Sequence, residues 1–191
     1  MSLHSPLINR IYPQNATSPL VRTSVLIAIG IAILTASAYL QIPTQPVKIS
    51  LQSLAVVLIG LAYGPRLGAG TVLSYLGLGA VGAPVFQSGA GFAYMAGPTG
   101  GFLLGMLLAT VVAGMFAQRG VLRSSAATLV ATIVSLAVVF VPGVAWIGVL
   151  FGFDQSLALG LYPFIPGELV KIGVALLLLP LLRQVNKTYG R

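Results

Sequence analysis

The sequence predicts an all-α integral membrane protein, a bundle of six transmembrane helices with both termini in the cytoplasm. Hydrophobic residues make up 57% of the chain and charged residues only 6%, against roughly 25% charged in soluble domains. The mean hydropathy is +1.01. Such a chain has too little polar surface to cover a water-soluble domain, so the lipid bilayer is its predicted solvent.

Six apolar segments follow one another along the chain, between a polar N-terminal tail (1–21) and a basic cytoplasmic tail (184–191). The membrane domain between the tails is predicted to span 22–183. Its first segment ends in Ala36-Ser37-Ala38, which also resembles a signal-peptidase site, but its length and long polar leader favour a retained helix. The predicted helices are 21–40, 49–63, 67–81, 99–117, 124–150 and 164–182.

The second and third segments are short. Fifteen residues of helix reach roughly 22 Å, which is less than a hydrocarbon core of about 30 Å. Gly64-Pro65-Arg66 separates the two segments, because proline cannot continue a helix and arginine prefers the interface. We therefore predict two short antiparallel helices here, and a loop carrying Asp154 at 152–163.

The basic residues set the predicted orientation. Eight of the ten fall on the cytoplasmic side if the N-terminus is inside, which matches the positive-inside rule. Lys48 alone lies in an outer loop. The net charge of +8 is thus explained by membrane orientation, and no nucleic-acid partner is predicted. The eight are Arg10, Arg22, Arg66, Arg119, Arg123, Arg183, Lys187 and Arg191.

Few residues suited to catalysis are present. The chain has no cysteine, which excludes disulfides, thiolate metal sites and cysteine nucleophiles. Its single histidine, His4, lies in the polar tail. No cofactor and no metal site is predicted.

Two segments carry small residues at every fourth position, which lets a neighbouring helix approach closely. In the fourth helix this stripe is predicted to pack inside the bundle. In the first helix Ala28, Ala32 and Ala36 form a similar stripe, which either packs internally or docks a partner subunit. The stripe of the fourth helix is Gly97, Gly101, Gly105, Ala109, Ala113 and Ala117.

The segment 82–98 is rich in glycine and proline yet apolar and aromatic. Irregular backbone at membrane depth survives only where protein or a water-filled cavity satisfies it, so this segment indicates a ligand site. The alternative is an ordinary extramembrane loop. The segment 82–98 is followed by the start of the fourth helix, at Gly97 and Thr99, and a helix N-terminus favours an anionic group.

Glu168 and Lys171 share one helix face inside an apolar segment. Ionisable groups there usually face the protein interior or a cavity, so we predict polar contacts for a ligand entering from outside. The alternatives are a purely structural ion pair, or interfacial side chains that reach out to water. The ligand would be small, largely apolar, and carry an acid and an amide-like end. Candidate apolar walls are Tyr39, Phe86, Phe92, Tyr94, Trp146, Tyr162 and Phe164.

Five motifs in order together resemble the BioY family, the biotin-specific substrate-binding component of energy-coupling factor transporters, from about residue 28 to 182. Each fragment alone is weak, but five at suitable spacing are specific. They are Gln52-Ser53-Leu54-Ala55-Val56, Gly64-Pro65-Arg66-Leu67-Gly68, Gly82-Ala83-Pro84-Val85-Phe86, Gly97-Pro98-Thr99-Gly100-Gly101-Phe102 and Pro163-Phe164-Ile165-Pro166-Gly167-Glu168-Leu169-Val170-Lys171.

The resemblance implies an outward-facing biotin pocket in the bacterial cytoplasmic membrane, with the 82–98 segment as its lid. The family's acidic-x-x-Lys motif falls on Glu168 and Lys171, although the family usually has Asp where Glu168 stands. Gln87 and Ser88 stand where small residues are usual, and Gln87 either hydrogen-bonds the ligand or faces water. The substrate-binding set implied is Glu168, Lys171, Gln87, Ser88, Phe86, Tyr94, Gly97 and Thr99.

The resemblance also implies partners. Ala28, Ala32 and Ala36 match the docking pattern for a transmembrane coupling subunit attached to two ATPases. This chain has no Gly-x-x-x-x-Gly-Lys-Ser/Thr phosphate loop of its own. The alternatives are an intramembrane enzyme, for which the spans lack paired carboxylates and a histidine, and a purely structural membrane subunit.

Overall fold

The computed structural model describes residue 8, residues 18–43 and residues 46–188, with residues 178–188 described by their backbone only. The helices are α1 Pro19–Tyr39, α2 Gln52–Ala80, α3 Gly91–Ala96, α4 Gly100–Gln118, α5 Ser125–Phe151, α6 Phe153–Gly160 and α7 Ile165–Thr188. Two short antiparallel strands, β1 Gln41–Ile42 and β2 Ile49–Ser50, pair between α1 and α2. Single 3-10 turns, Val121–Arg123 and Tyr162–Phe164, precede α5 and α7.

Five segments of the described chain are long and apolar enough to cross a membrane. This supports the predicted all-α membrane class. The count of six spans and the cytoplasmic location of both termini stay predictions. The five segments are Pro19–Tyr39, Gln52–Ala80, Gly100–Gln118, Ser125–Phe151 and Phe153–Leu177.

Helix α2 is a folded-back pair of arms, 52–63 and 65–80. Gly64 has φ 79° and ψ 175°, a region that essentially only glycine occupies, and Pro65 follows it. Gln52 and Tyr75 are hydrogen-bonded at 2.7 Å across the two arms, although a straight helix would separate them by roughly 35 Å. The prediction of two short antiparallel helices is therefore confirmed.

Helix α4 packs between α2 and α5 through small residues. A Cβ on Gly105 would overlap the Val139 carbonyl of α5, and one on Gly60 of α2 would overlap the Thr110 carbonyl of α4. Ala113 is fully buried in the same contact. The backbones approach this closely only because side chains are missing, so the predicted internal packing of the stripe is confirmed from Gly101 to Ala117, whereas Gly97 precedes α4 and is half-buried.

Helix α1 turns its alanine stripe outward. Its buried face carries Leu26 and Leu34, whereas Ala28, Ala32 and Ala36 are exposed. Internal packing of this stripe, one of the two interpretations left open above, is therefore wrong. The face is free to meet lipid or a partner helix.

Two predicted loops contain helix. The predicted loop at 152–163 is wrong: α6 occupies Phe153–Gly160. Gly152, at φ 94°, ends α5 and lets the chain reverse, and Phe153 then packs back against Gly148. The 82–98 segment holds the short helix α3, six residues long. Helix α1 begins at Pro19, within the predicted tail, and most of that tail lies outside the described residues.

Candidate functional site

The first turns of α7 hold Glu168 and Lys171 inside the bundle. Gly167 lies directly against Ile49 of β2, so α7 begins in close contact with the strand pair. The Lys171 side chain is 4% exposed and that of Glu168 13%, and Lys171 Nζ lies 2.5 Å from Glu168 Oε1. Both charges therefore face the interior, and the alternative of side chains reaching out to the headgroups is wrong.

Ser53, near the start of α2, completes this charged pair. Lys171 Nζ donates a hydrogen bond to Ser53 Oγ at 2.7 Å, and Ser53 Oγ donates to Glu168 Oε1 at 3.2 Å. The second carboxylate oxygen, Glu168 Oε2, is buried and has no hydrogen-bond partner among the described residues. An unpaired buried acceptor is costly, so this oxygen is suited to a donor from outside the chain.

A small cavity adjoins the charged cluster. One wall is aromatic: Phe102 stacks on Phe164 with ring centroids 5.4 Å apart, and Phe140 meets both rings edge-on. The combination of an apolar wall and a few converging polar groups is typical of small-molecule sites. The lining residues are Val47, Lys48, Ser50, Ser53, Gln87, Thr99, Phe102, Met106, Val139, Phe140, Phe164, Glu168 and Lys171.

Gln87 reaches the cavity from the 82–98 segment, and its side chain is held firmly. Its Nε2 donates to Ser50 Oγ at 2.7 Å and to Gln52 Oε1 at 3.1 Å. These two bonds use both hydrogens of the amide nitrogen, so Oε1 remains as the acceptor of this side chain. The sequence allowed Gln87 either to hydrogen-bond a ligand or to face water. In the structure the residue is 6% exposed and forms part of the cavity wall.

The 82–98 segment, called the lid below, is packed onto the bundle. The Phe86 ring is buried against Tyr75, edge-on at 5.4 Å, and against Tyr94, stacked at 5.0 Å. It sits over Gly79, where any Cβ would overlap the ring. Tyr39 also donates to the Pro84 carbonyl at 2.8 Å. These contacts distinguish the lid from a loop that merely extends into water.

The predicted site residues divide into three groups. Glu168, Lys171, Gln87 and Thr99 line the cavity. Phe86, Tyr94 and Gly97 lie beside it and hold the lid, the last through its carbonyl, which accepts from Trp146 Nε1 at 2.9 Å. Ser88 is exposed and is not part of the cavity wall.

The aromatic residues suggested as walls also divide. Phe164 lines the cavity, whereas Phe92 and Tyr162 are largely exposed.

Sequence reasoning did not single out Ser50 or Ser53 as site residues. The Gln52-Ser53 motif could have indicated Ser53, but its link to Lys171 spans 118 residues and leaves no local pattern.

The lid, the buried charges and the cavity within a helical bundle define a membrane-embedded substrate-binding protein. A family model described as the BioY family matches residues 10–188, and the chain belongs to that family. This membership contradicts the intramembrane-enzyme alternative and agrees with a multi-pass protein of the cytoplasmic membrane.

Named relatives and a solved structure are similar along most of the chain. A probable biotin transporter BioY of Pyrococcus horikoshii is 34% identical, covering 80% of this chain and 91% of its own. Biotin transporter BioY2 of Lactococcus lactis is 37% identical, covering 85% and 91%. The crystal structure of the S-component for biotin from an ECF-type ABC transporter has a TM-score of 0.77 at 27% identity, covering 90% of this chain and 94% of that one.

The charged cluster generates a stability prediction. Lys171→Met leaves a buried carboxylate without its cation, and breaking a buried ion pair typically costs about 3–5 kcal/mol. The double variant Glu168→Gln with Lys171→Met removes both charges and should recover much of this loss. Thermal unfolding in detergent without ligand measures both. If the double variant unfolds at the same or a lower temperature than Lys171→Met, the two charges are not mutually compensating.

Proposed function

We propose that this chain captures biotin from outside the cell and serves as the substrate-binding subunit of an energy-coupling factor transporter. The observation that carries the proposal is that Glu168 lines the cavity with Lys171 and Gln87, while its buried Oε2 has no hydrogen-bond partner among the described residues. The match to named biotin transporters supports the same ligand.

The hydrogen-bonding groups of the cavity suit the cyclic urea of biotin. That ring carries two N–H donors and one carbonyl acceptor. Glu168 Oε2 and Gln87 Oε1 are acceptors for the two donors, and the third N–H of Lys171, not used by Ser53 or Glu168, can donate to the carbonyl. A ligand carboxylate fits less well beside Glu168, since like charges repel and Lys171 is already neutralised.

The remaining parts of biotin meet other walls of the cavity. The thioether ring and its alkyl chain are apolar and suit the stacked rings of Phe102 and Phe164. Lys48 lines the same cavity and is half-buried. We propose that Lys48, the one basic residue that the sequence assigns to the outer side, attracts the ligand carboxylate.

Binding of biotin and of its methyl ester to the purified chain tests these assignments together. Wild type should bind biotin tightly with one site per chain. Lys171→Ala should weaken both ligands at least tenfold, because both carry the cyclic urea. Lys48→Gln should weaken biotin by about fivefold and leave the ester unchanged, because a partly exposed ion pair contributes about 1 kcal/mol.

Three outcomes would contradict parts of this account. Tight binding that is insensitive to changes at both Lys171 and Glu168 would refute the site but leave the function intact. Equal losses for biotin and its ester in Lys48→Gln would refute the carboxylate contact. Failure of the folded wild-type chain to bind biotin would refute the function.

We propose further that the outward face of α1 docks a transmembrane coupling subunit, which connects the chain to ATPases. Ala28, Ala32 and Ala36 are exposed on one face, and small residues let a partner helix approach closely in lipid. Ligand binding would favour the closed lid through added contacts, and ATP hydrolysis by the partners would supply the energy for release inward.

A bulky substitution on this face separates docking from ligand binding. Ala32→Trp should abolish co-purification with a coexpressed energy-coupling module and reduce biotin uptake at least tenfold, while biotin affinity stays unchanged. Ala137→Trp is the matched control, because Ala137 is an exposed alanine on α5. Equal module binding by the two variants would show that the α1 face is not the docking surface.

A further inference from the structure

A continuous chain of hydrogen bonds, two of them buried and one partly buried, leaves the lid and returns to it. Gln87 Nε2 donates to Gln52 Oε1 at 3.1 Å, and Gln52 Nε2 donates to the Tyr75 hydroxyl at 2.7 Å. The Tyr75 hydroxyl then donates to the Val85 carbonyl at 2.8 Å. Gln87 and Val85 both belong to the lid, whereas Gln52 and Tyr75 belong to the two arms of α2. The circuit therefore ties the lid to the hairpin at two points.

The Val85 carbonyl fixes the direction of every bond in this circuit. A carbonyl only accepts, so the Tyr75 hydroxyl must donate its single hydrogen to Val85. The group that Gln52 points at Tyr75 must then be its NH₂, which turns Gln52 Oε1 toward Gln87. Gln87 therefore donates to Gln52 Oε1 from its own NH₂ group, and its Oε1 remains available as an acceptor. The orientation of an amide at the cavity wall is thus set by a main-chain carbonyl of the lid.

Gln52 and Tyr75 are 2% and 1% exposed, and neither lines the cavity. Buried polar groups destabilise a protein unless they are hydrogen-bonded. With the lid seated, each of the two has both a donor and an acceptor role fulfilled. Lifting the lid would remove the acceptor of Tyr75 and the donor to Gln52 at the same time. The circuit is therefore complete only in the seated arrangement.

We propose that Tyr75 and Gln52 are positioning residues that couple the seating of the lid to the orientation of the Gln87 amide. Seating of the lid and presentation of the Gln87 acceptor to the ligand then occur together. The ligand itself rests on the proposed function. The coupling makes the circuit a determinant of how long a ligand stays bound, because dissociation requires the lid to lift.

Tyr75→Phe is the direct test, because it removes only the hydroxyl and keeps the ring that packs against Phe86. Tyr63→Phe is the matched control. Tyr63 is also buried in α2, and its hydroxyl donates to the Leu26 carbonyl of α1 at 3.1 Å, away from the lid. Gln52→Met breaks the circuit at a second point with a side chain of similar length, should Tyr75→Phe fail to fold.

The first measurement needs no ligand. Because the chain has no cysteine, Val85→Cys gives the protein a single thiol, at a half-buried position on the lid. The substitution keeps the main-chain carbonyl of residue 85, to which Tyr75 donates. The rate of maleimide labelling in the purified full-length protein then reports lid opening. Adding Tyr75→Phe should raise this rate at least fivefold, and adding Tyr63→Phe should leave it unchanged.

The second measurement follows biotin exchange in proteins without the added cysteine. Tyr75→Phe should speed dissociation about tenfold, because it removes the hydrogen bond from Tyr75 to the lid carbonyl, and change the association rate by less than threefold. Unchanged labelling and dissociation would overturn the proposal, as would equal effects of Tyr63→Phe. If wild type does not bind biotin, the proposed function fails, while the labelling comparison still decides whether the circuit holds the lid.

Discussion

The burial of one lysine and one glutamate in an apolar bundle constrains the rest of the structure. Charges in such surroundings must be paired and hydrogen-bonded, so the start of α7 has to face the start of α2, where Ser53 bridges Lys171 and Glu168. Among the residues that the structure describes, the pairing leaves Glu168 Oε2 without a hydrogen-bond donor. The cluster is thus paired well enough to stay buried, and we propose that its remaining acceptor receives a donor from the ligand.

The break in α2 brings the polar residues beneath the lid. Because the chain reverses at Gly64, Gln52 at the start of one arm lies beside Tyr75 near the end of the other. Gly79, one helical turn further along, leaves the space that Phe86 of the lid fills. A conformational property of one glycine and the small size of another therefore decide where the lid packs.

Local features of the sequence predicted much of this arrangement. The spacing of Glu168 and Lys171 predicted a shared helix face, and Gly64-Pro65 predicted the hairpin, because both effects act within a few residues. Helix α6 was missed because its eight residues, bounded by Gly152 and Gly160, are too few to show a helical period. Ser53 was missed because its role depends on a partner that is distant in sequence, and only packing of the helices reveals it.

The most direct test of the central claim is an experimental structure of the purified chain with biotin bound. We expect the cyclic urea within hydrogen-bonding distance of Glu168 Oε2, Gln87 Oε1 and Lys171 Nζ, with the lid seated over the ligand. Biotin bound elsewhere, or bound in this cavity with Glu168 Oε2 still lacking a donor, would contradict the claim that the buried charged cluster is the site of recognition.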